Sequence, residues 1–251
     1  MTTTHDLERA LAAAGIEAPA RWEEITGSTN AVALAEAADG APEWSLVAAG
    51  RQTRGRGRSG RPWHADAGDA LLFSVVLRPE LEPGRAGLLP LLAGAAMAAA
   101  ASEVGGVPVR CKWPNDLLID RAKVGGVLAE SAVVDGRLRH LVIGVGVNLR
   151  PPRHVHGAAG LGDEVDPIAL LGRFLVGMRA AYRPADPAFP ADVVALWSGV
   201  SATLGREVSA VRNDGVTVHG RARSLDGRGG LVLDTTEGPA SVAFGEIQHL
   251  R

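Results

Sequence analysis

From Gln52 to Arg61 the chain reads Gln-Thr-Arg-Gly-Arg-Gly-Arg-Ser-Gly-Arg. Alternating glycine and arginine do two things at once. Glycine lets backbone approach a ligand closely and present its N–H groups. Arginine brings a permanent charge and a planar fork that matches phosphate oxygens. The segment suits a phosphate, a pyrophosphate or a phosphoanhydride. It is not a P-loop, because G-x-x-x-x-G-K-[ST] is absent. Read alone, it is equally compatible with an RGG-like nucleic-acid tail or a solvated basic loop.

Three further segments carry polar groups in suggestive places. In Lys112-Trp113-Pro114-Asn115-Asp116 a proline turn ends a strand and presents Asn115 and Asp116. These can orient a ligand or an amine, or supply oxygens to Mg²⁺; an ordinary Asn-Asp turn is the plain alternative. Lys123 stands beside Gly125-Gly126 in an apolar run, as a contact for carboxylate or phosphate or as a charge guarding a strand edge. Gly144-Val145-Gly146-Val147-Asn148 alternates glycines, which opens one face to a ligand with Asn148 at the rim, or marks a bulge.

The elements that must hold these groups follow from periodicity and punctuation. Helices are predicted at His5–Ala14, Thr29–Ala38 with Ser28 as N-cap, Ala86–Ser102, Pro167–Ala181 with proline in its first turn, and Ala191–Trp197. Strands are predicted at Arg21–Thr26, Ser45–Ala49, Ala70–Leu77 and Val107–Trp113. Asp135-Gly136 joins Lys123–Val134 and Arg137–Asn148 as a hairpin. Gly50–Trp63 and Arg150–Asp166 read as loops. After Gly199 the pattern becomes short β runs, Val208–Val211, Val216–Arg223, Leu231–Leu233 and Ser241–Phe244, separated by Asn213-Asp214-Gly215, Asp226-Gly227 and Glu237-Gly238. That is a small all-β barrel-like module.

Composition narrows the classes. With 26 Lys and Arg against 28 Asp and Glu, the net charge of -2 argues against a broad nucleic-acid or membrane footprint. One cysteine, Cys111, leaves no disulfide framework and fits a reducing cytoplasm. Ala86–Val104 is the most apolar stretch, but Pro90 and its Ala/Gly content suit a buried helix better than a membrane span.

Taken in order, Gly27-Ser28-Thr29-Asn30, Gln52–Trp63, Lys112–Asp116, Lys123–Glu130 and Gly144–Asn148 resemble the biotin protein ligase family, and Gly245–Arg251 looks like its C-terminal end. The resemblance implies an α+β fold. Residues 1–200 would form a class II aminoacyl-tRNA synthetase-like catalytic domain with a mixed sheet, and residues 201–251 an SH3-like β-barrel. It implies activation of biotin with ATP and Mg²⁺ as biotinyl-5′-AMP, then transfer to a lysine of the biotin carboxyl carrier domain of acyl-CoA carboxylases. No metal is expected to be held by the protein alone, and neither DNA nor membrane is an expected partner. The motif at Ser28 leaves no room for the helix-turn-helix of repressor relatives, so no repressor role is expected.

Residue by residue, the resemblance implies that Ser28, Thr29 and Asn30 meet the ureido end of biotin, with Gln52 opposite and Trp63 on the ring or valeryl chain. Arg56, Gly57 and Arg58 would wrap the carboxyl and phosphate groups, and Lys123 would hold a carboxyl oxygen and the α-phosphate. Asn115 and Asn148 would contact phosphate, adenine or Mg²⁺. Asp116 would orient or deprotonate the incoming lysine. The loop at 150–166 matches no pattern, and His154 and His156 receive no role. Two rivals remain: a lipoate protein ligase, against which the ureido set argues, and an RGG-like nucleic-acid-binding module, against which the charge and scarce aromatics argue.

Overall fold

A computed structural model of the chain describes residues 2–153, 155–212, 215–243 and 245–249. Five helices are described: α1 (Thr4–Ala13), α2 (Thr29–Ala38), α3 (Leu88–Gly105), α4 (Pro167–Ala181) and α5 (Phe189–Gly199). The strands of the larger part are β1 (Ala20–Thr26), β2 (Leu46–Gln52), β3 (Ala70–Leu77), β4 (Val109–Lys112), β5 (Asp116–Ile119), β6 (Ala122–Val134) and β7 (Arg137–Asn148). The remainder holds β8 (Glu207–Arg212), β9 (Thr217–Leu225), β10 (Leu231–Thr235), β11 (Gly238–Val242) and β12 (Gly245–His249).

The first seven strands form one mixed sheet in the order β1-β2-β3-β7-β6-β5-β4. β1 and β2 run parallel, joined through α2, and the other neighbours are antiparallel. β3 sits between β2 and β7 with all eight residues buried, which is why ALLFSVVL reads as one near-continuous apolar run. Asp135 and Gly136 both take positive φ (52° and 71°), the backbone that a two-residue hairpin turn with right-handed twist requires.

One face of the sheet carries the main core. α3 lies on it, rich in Ala and Leu and buried along most of its length, and α4 and α5 pack against α3. The Pro83–Gly105 segment is long and apolar enough to cross a membrane, but most of its apolar stretch is buried within this core. On the opposite face α2 is the covering element: Ala33 and Ala37 pack on Val47, Val76 and Val142. The last five strands form a separate antiparallel sheet in the order β11-β10-β9-β8-β12.

Several boundaries differ from the sequence reading. β5 was not anticipated: Leu117-Leu118-Ile119 is too short an apolar run to show a period, yet it pairs with both β4 and β6. β2 continues through Gln52 because β1 pairs with it as far as Thr26↔Gln52. Gly50–Trp63 is therefore not all loop. Its remainder folds on itself, with Trp63 N–H donating to Gly55 O (2.9 Å), Gly57 N–H to Arg61 O (2.7 Å) and a 3₁₀ turn over Arg58–Gly60. Ser28 is the N-cap of α2 by position, but its hydroxyl makes no cap bond. Of the C-terminal expectations, Phe244, the Asn213-Asp214 pair and Leu250-Arg251 lie outside the described residues, as does His154.

Candidate functional site

α2 covers only part of its sheet face. Past its N-terminus the face continues over Ser74, Gly144, Gly146, Gly126 and Leu128, which the strand register aligns across β3, β7 and β6. A cavity of about 230 Å³ opens there. Ser28, Thr29, Asn30, Gln52, Arg56, Gly57, Arg58, Trp63, Asn115, Asp116 and Lys123 all line it. Residues 28 to 123 of the expected set thus meet in one space, although they come from α2 and its N-cap, β2, the Gly-Arg loop, the β4–β5 turn, β5 and β6.

At the closed end the polar groups are linked. The Thr29 N–H donates to Gln52 Oε1 (2.7 Å). Ser74 Oγ lies 2.6 Å from Asn30 Oδ1 and 2.8 Å from Thr29 Oγ1. A carbonyl oxygen cannot donate, so the Ser74 hydrogen points at Asn30, and the one Thr29 hydroxyl hydrogen has two acceptors in reach, Ser74 Oγ and Gln52 Oε1 at 3.1 Å. Asn30 Nδ2 in turn donates to Glu130 Oε2 (2.8 Å). Asn30 is 4% exposed; its polar atoms are satisfied by protein, so it supports the pocket from behind. Ser74 and Glu130 were missed as site residues. Ser74 had one signal: it is the only polar residue in an eight-residue apolar strand.

The alternating glycines of β7 have a specific cause. A Cβ on Gly144 would stand 2.0 Å from Asn30 Oδ1, and a Cβ on Gly146 would stand 2.7 Å from Trp63 Cε2. The open face expected of them is there, but it is filled in part by these two side chains. Trp63 lies on Gly146, and its Nε1 is buried without a hydrogen-bond partner. A buried indole N–H usually finds an acceptor, and a ligand acceptor in the cavity would satisfy it.

The other end is cationic. Lys123 Nζ is 2.5 Å from Asp116 Oδ1 and 5.7 Å from the Trp63 ring centroid. Arg56 Nη2 is 3.1 Å from Glu130 Oε2. Arg58 and Arg61 complete the rim. Asn115 holds β6 through both ends: its Nδ2 donates to Val127 O (2.8 Å) and its carbonyl accepts from the Val127 N–H (2.9 Å). Asn148 is the one expected residue that does not line the cavity. Its Nδ2 donates to Ala159 O (3.1 Å), and Ala159 N–H donates to Lys123 O (2.8 Å). The segment after β7 therefore straps Asn148 to the strand bearing Lys123.

The small sheet closes the site. Trp113 N–H donates to Thr203 Oγ1 and Trp113 Nε1 to Gly229 O, each at 3.0 Å. Ile247 of β12 reaches the cavity wall. His249 Nε2 lies 3.2 Å from Thr203 Oγ1. Burial, then the nearby Lys112 and Arg206, push the His249 pKa down to about 4. The unfolded chain, with a histidine pKa of about 6.5, takes up the proton first as pH falls. Stability should therefore decline from about pH 6.5 to about pH 4, with no further loss from this group below that. His140, lowered by burial and Arg78, acts in the same direction. His249→Gln should remove part of the slope, as read by denaturant melts at pH 7.5, 5.5 and 4.5; an unchanged slope would refute the contribution.

Comparison with known proteins agrees with this geometry. Residues 24–148 match the Biotin/lipoate A/B protein ligase family, and residues 203–250 match the biotin protein ligase C-terminal domain. The chain is 36% identical to the biotin–[acetyl-CoA-carboxylase] ligase of Mycobacterium tuberculosis over 97% of this chain and 96% of that protein. It is 30% identical to the bifunctional ligase/repressor BirA of Bacillus subtilis over 90% of this chain and 73% of that protein. Among solved structures, a biotin protein ligase from Aquifex aeolicus in complex with biotin and ATP superposes with a TM-score of 0.74 at 25% identity, covering 92% of this chain and 99% of that one.

Proposed function

The chain belongs to the biotin protein ligase family, and we propose how its residues divide the work of an ATP-dependent biotin–[acetyl-CoA-carboxylase] ligase. In the first step a biotin carboxylate oxygen attacks the α-phosphorus of ATP, and pyrophosphate leaves with the broken P–O bond. In the second a carrier lysine amine attacks the acyl carbon, a C–N bond forms and AMP leaves. Both steps ask for positioning and for charge placed in advance. One observation carries the reading: a single cavity joins a closed hydrogen-bonding pocket to a cationic rim, with Trp63 between the elements that supply them.

Ser28, Thr29 and Gln52 take the ureido end, with Asn30 behind them. Trp63 covers the apolar part of biotin. Arg56, Gly57, Arg58 and Lys123 hold the carboxyl and phosphate oxygens, whose mutual repulsion cations must offset. Mg²⁺ enters as the counter-ion of ATP, and Asn115 lies on the nucleotide side. Before ligand arrives, Asp116 is the partner of Lys123. When Lys123 turns to the phosphate, the Asp116 carboxylate becomes available to take the proton of the attacking lysine. Asn148 acts through the strap that steadies Lys123, in place of a direct adenine contact.

The domain boundary belongs near residue 200, between the end of α5 at Gly199 and the start of β8 at Glu207. The reaction belongs in the cytoplasm: the sole cysteine is buried, its thiol pushed up to about 12 by burial, and calls for no oxidising compartment.

Incubation with a biotin carboxyl carrier domain, biotin and ATP-Mg²⁺ should add one biotinyl group, read by mass spectrometry. Labelling with lipoate and not with biotin would overturn the assignment. In the same assay Arg58→Gly should let the adenylate escape about tenfold faster, since a charged contact of this kind contributes roughly 1.5–3 kcal/mol. Bystander lysines would then be labelled. A mutant that still labels only the true carrier would remove Arg58 from the retaining loop.

A further inference from the structure

Glu130 lies on β6, half-buried behind Asn30 and Arg56 of the cavity wall, and nothing above gives it a task in the reaction. Its Oε2 accepts two hydrogen bonds, from Asn30 Nδ2 at 2.8 Å and from Arg56 Nη2 at 3.1 Å. The first donor belongs to the biotin pocket and the second to the cationic loop.

The bond to Asn30 has consequences further along. Asn30 Nδ2 faces acceptors, Glu130 Oε2 and the more distant Leu128 O at 3.5 Å. Its Oδ1 is therefore turned to Ser74, which must donate to it, and the Thr29 hydroxyl lies 2.8 Å from Ser74 Oγ. The Ser74 hydroxyl and the Asn30 amide both donate in the direction of the Glu130 carboxylate. Gln52 Oε1 takes the Thr29 N–H at 2.7 Å and lies 3.1 Å from the Thr29 hydroxyl, so Gln52 joins the same network at its far end. An acceptor at position 130 thus fixes how the Asn30 amide and the Ser74 hydroxyl are turned at the base of the pocket. A negative charge at the same position holds the Arg56 guanidinium at the cavity before any anion arrives.

We propose that Glu130 is a positioning residue that couples the two ends of the cavity, acting on adenylation through Arg56 and on biotin binding through Asn30. The inference rests on the ligase reaction proposed above. The two contacts can be separated chemically. Glu130→Gln keeps an acceptor oxygen for Asn30 but removes the charge that holds Arg56. Glu130→Ala removes both.

The test measures biotin affinity by calorimetry and single-turnover pyrophosphate release for wild type, Glu130→Gln, Glu130→Ala, Arg56→Ala and the Arg56→Ala/Glu130→Gln pair. Glu130→Gln should keep biotin affinity within about threefold and slow adenylation about tenfold, the scale of one charge-assisted contact. Glu130→Ala should also weaken biotin binding about tenfold. In the Arg56→Ala background, Glu130→Gln should add no further loss, because Glu130 acts on the rate through Arg56. Losses that multiply, or a Glu130→Gln protein equal to wild type in both readouts, would overturn the proposal. A wild-type protein that releases no pyrophosphate with biotin and ATP-Mg²⁺ would instead sink the reaction itself, while the biotin affinities would still report on the Asn30 arm.

Discussion

Lys123→Ala should lower biotinyl-adenylate formation by about 10²- to 10³-fold, the range observed when one preorganised charge or donor is removed from a developing negative charge. The lysine is placed for this by its surroundings. Its side chain runs beside Gly126, where a Cβ would meet Lys123 Cε and Nζ at an ordinary contact distance of 3.6 Å. The strap at Ala159 fixes its backbone, and Asp116 holds its ammonium at the cavity. The fold should survive, since the side chain is 44% exposed and an ion pair of that exposure contributes about 0.2–1 kcal/mol. Single-turnover pyrophosphate release and a thermal melt measured on one sample separate the two effects. Near wild-type release would remove Lys123 from the chemistry, and an unfolded mutant would show a structural role that its exposure does not suggest.

Gly144→Ala should abolish measurable biotin binding, a fall of at least about 100-fold, while costing about 1–3 kcal/mol of stability, as overpacking in a filled site does. The added Cβ would stand 2.0 Å from Asn30 Oδ1 and 2.7 Å from its Cγ. Asn30 cannot retreat easily. It is buried at the start of α2 and bonded to Ser74 and Glu130. Moving it breaks its bonds to Ser74 and Glu130, and Ser74 is also in contact with the Thr29 hydroxyl. Gly84→Ala is the matched control, because a Cβ there meets nothing within 4 Å. Calorimetric titration with biotin, beside a urea melt, checks both variants. Biotin affinity within threefold of wild type in Gly144→Ala would show that Asn30 can shift without loss, and the argument from this network would fail.

The legible parts of the chain were those with a local cause. β3, α2, the β6–β7 turn and α4 follow from an unbroken apolar run, an N-cap position, Asp135-Gly136 and a first-turn proline. The Gly-Arg segment, the Trp113-Pro114 turn and Lys123 stood out because their residue types are unusual in ordinary loops and strands. What stayed hidden depends on partners distant in the chain. Asn30 and Glu130 are 100 positions apart, and no local pattern signals their hydrogen bond. Asn148 looked like a rim residue because it ends a glycine-rich strand, but the segment after β7 folds back and takes its amide. β5 has only four residues and owes its conformation to neighbours on both sides.

The bonds from Trp113 to Thr203 and Gly229 make the small C-terminal sheet more than an appendage. Cys111 N–H donates to Val200 O and Ala202 N–H to Cys111 O (2.8 and 2.7 Å), so β4 continues pairing into the junction itself. The buried Trp113 belongs to both halves at once, and separating them would expose its ring and strand four hydrogen-bonding groups. Local opening of the C-terminal sheet is therefore not a private event. It would loosen the turn that carries Asn115 and Asp116, so the chain gains cooperativity where its catalytic turn is made, and ligands bound in the cavity lend their free energy to the far sheet as well as to the near one.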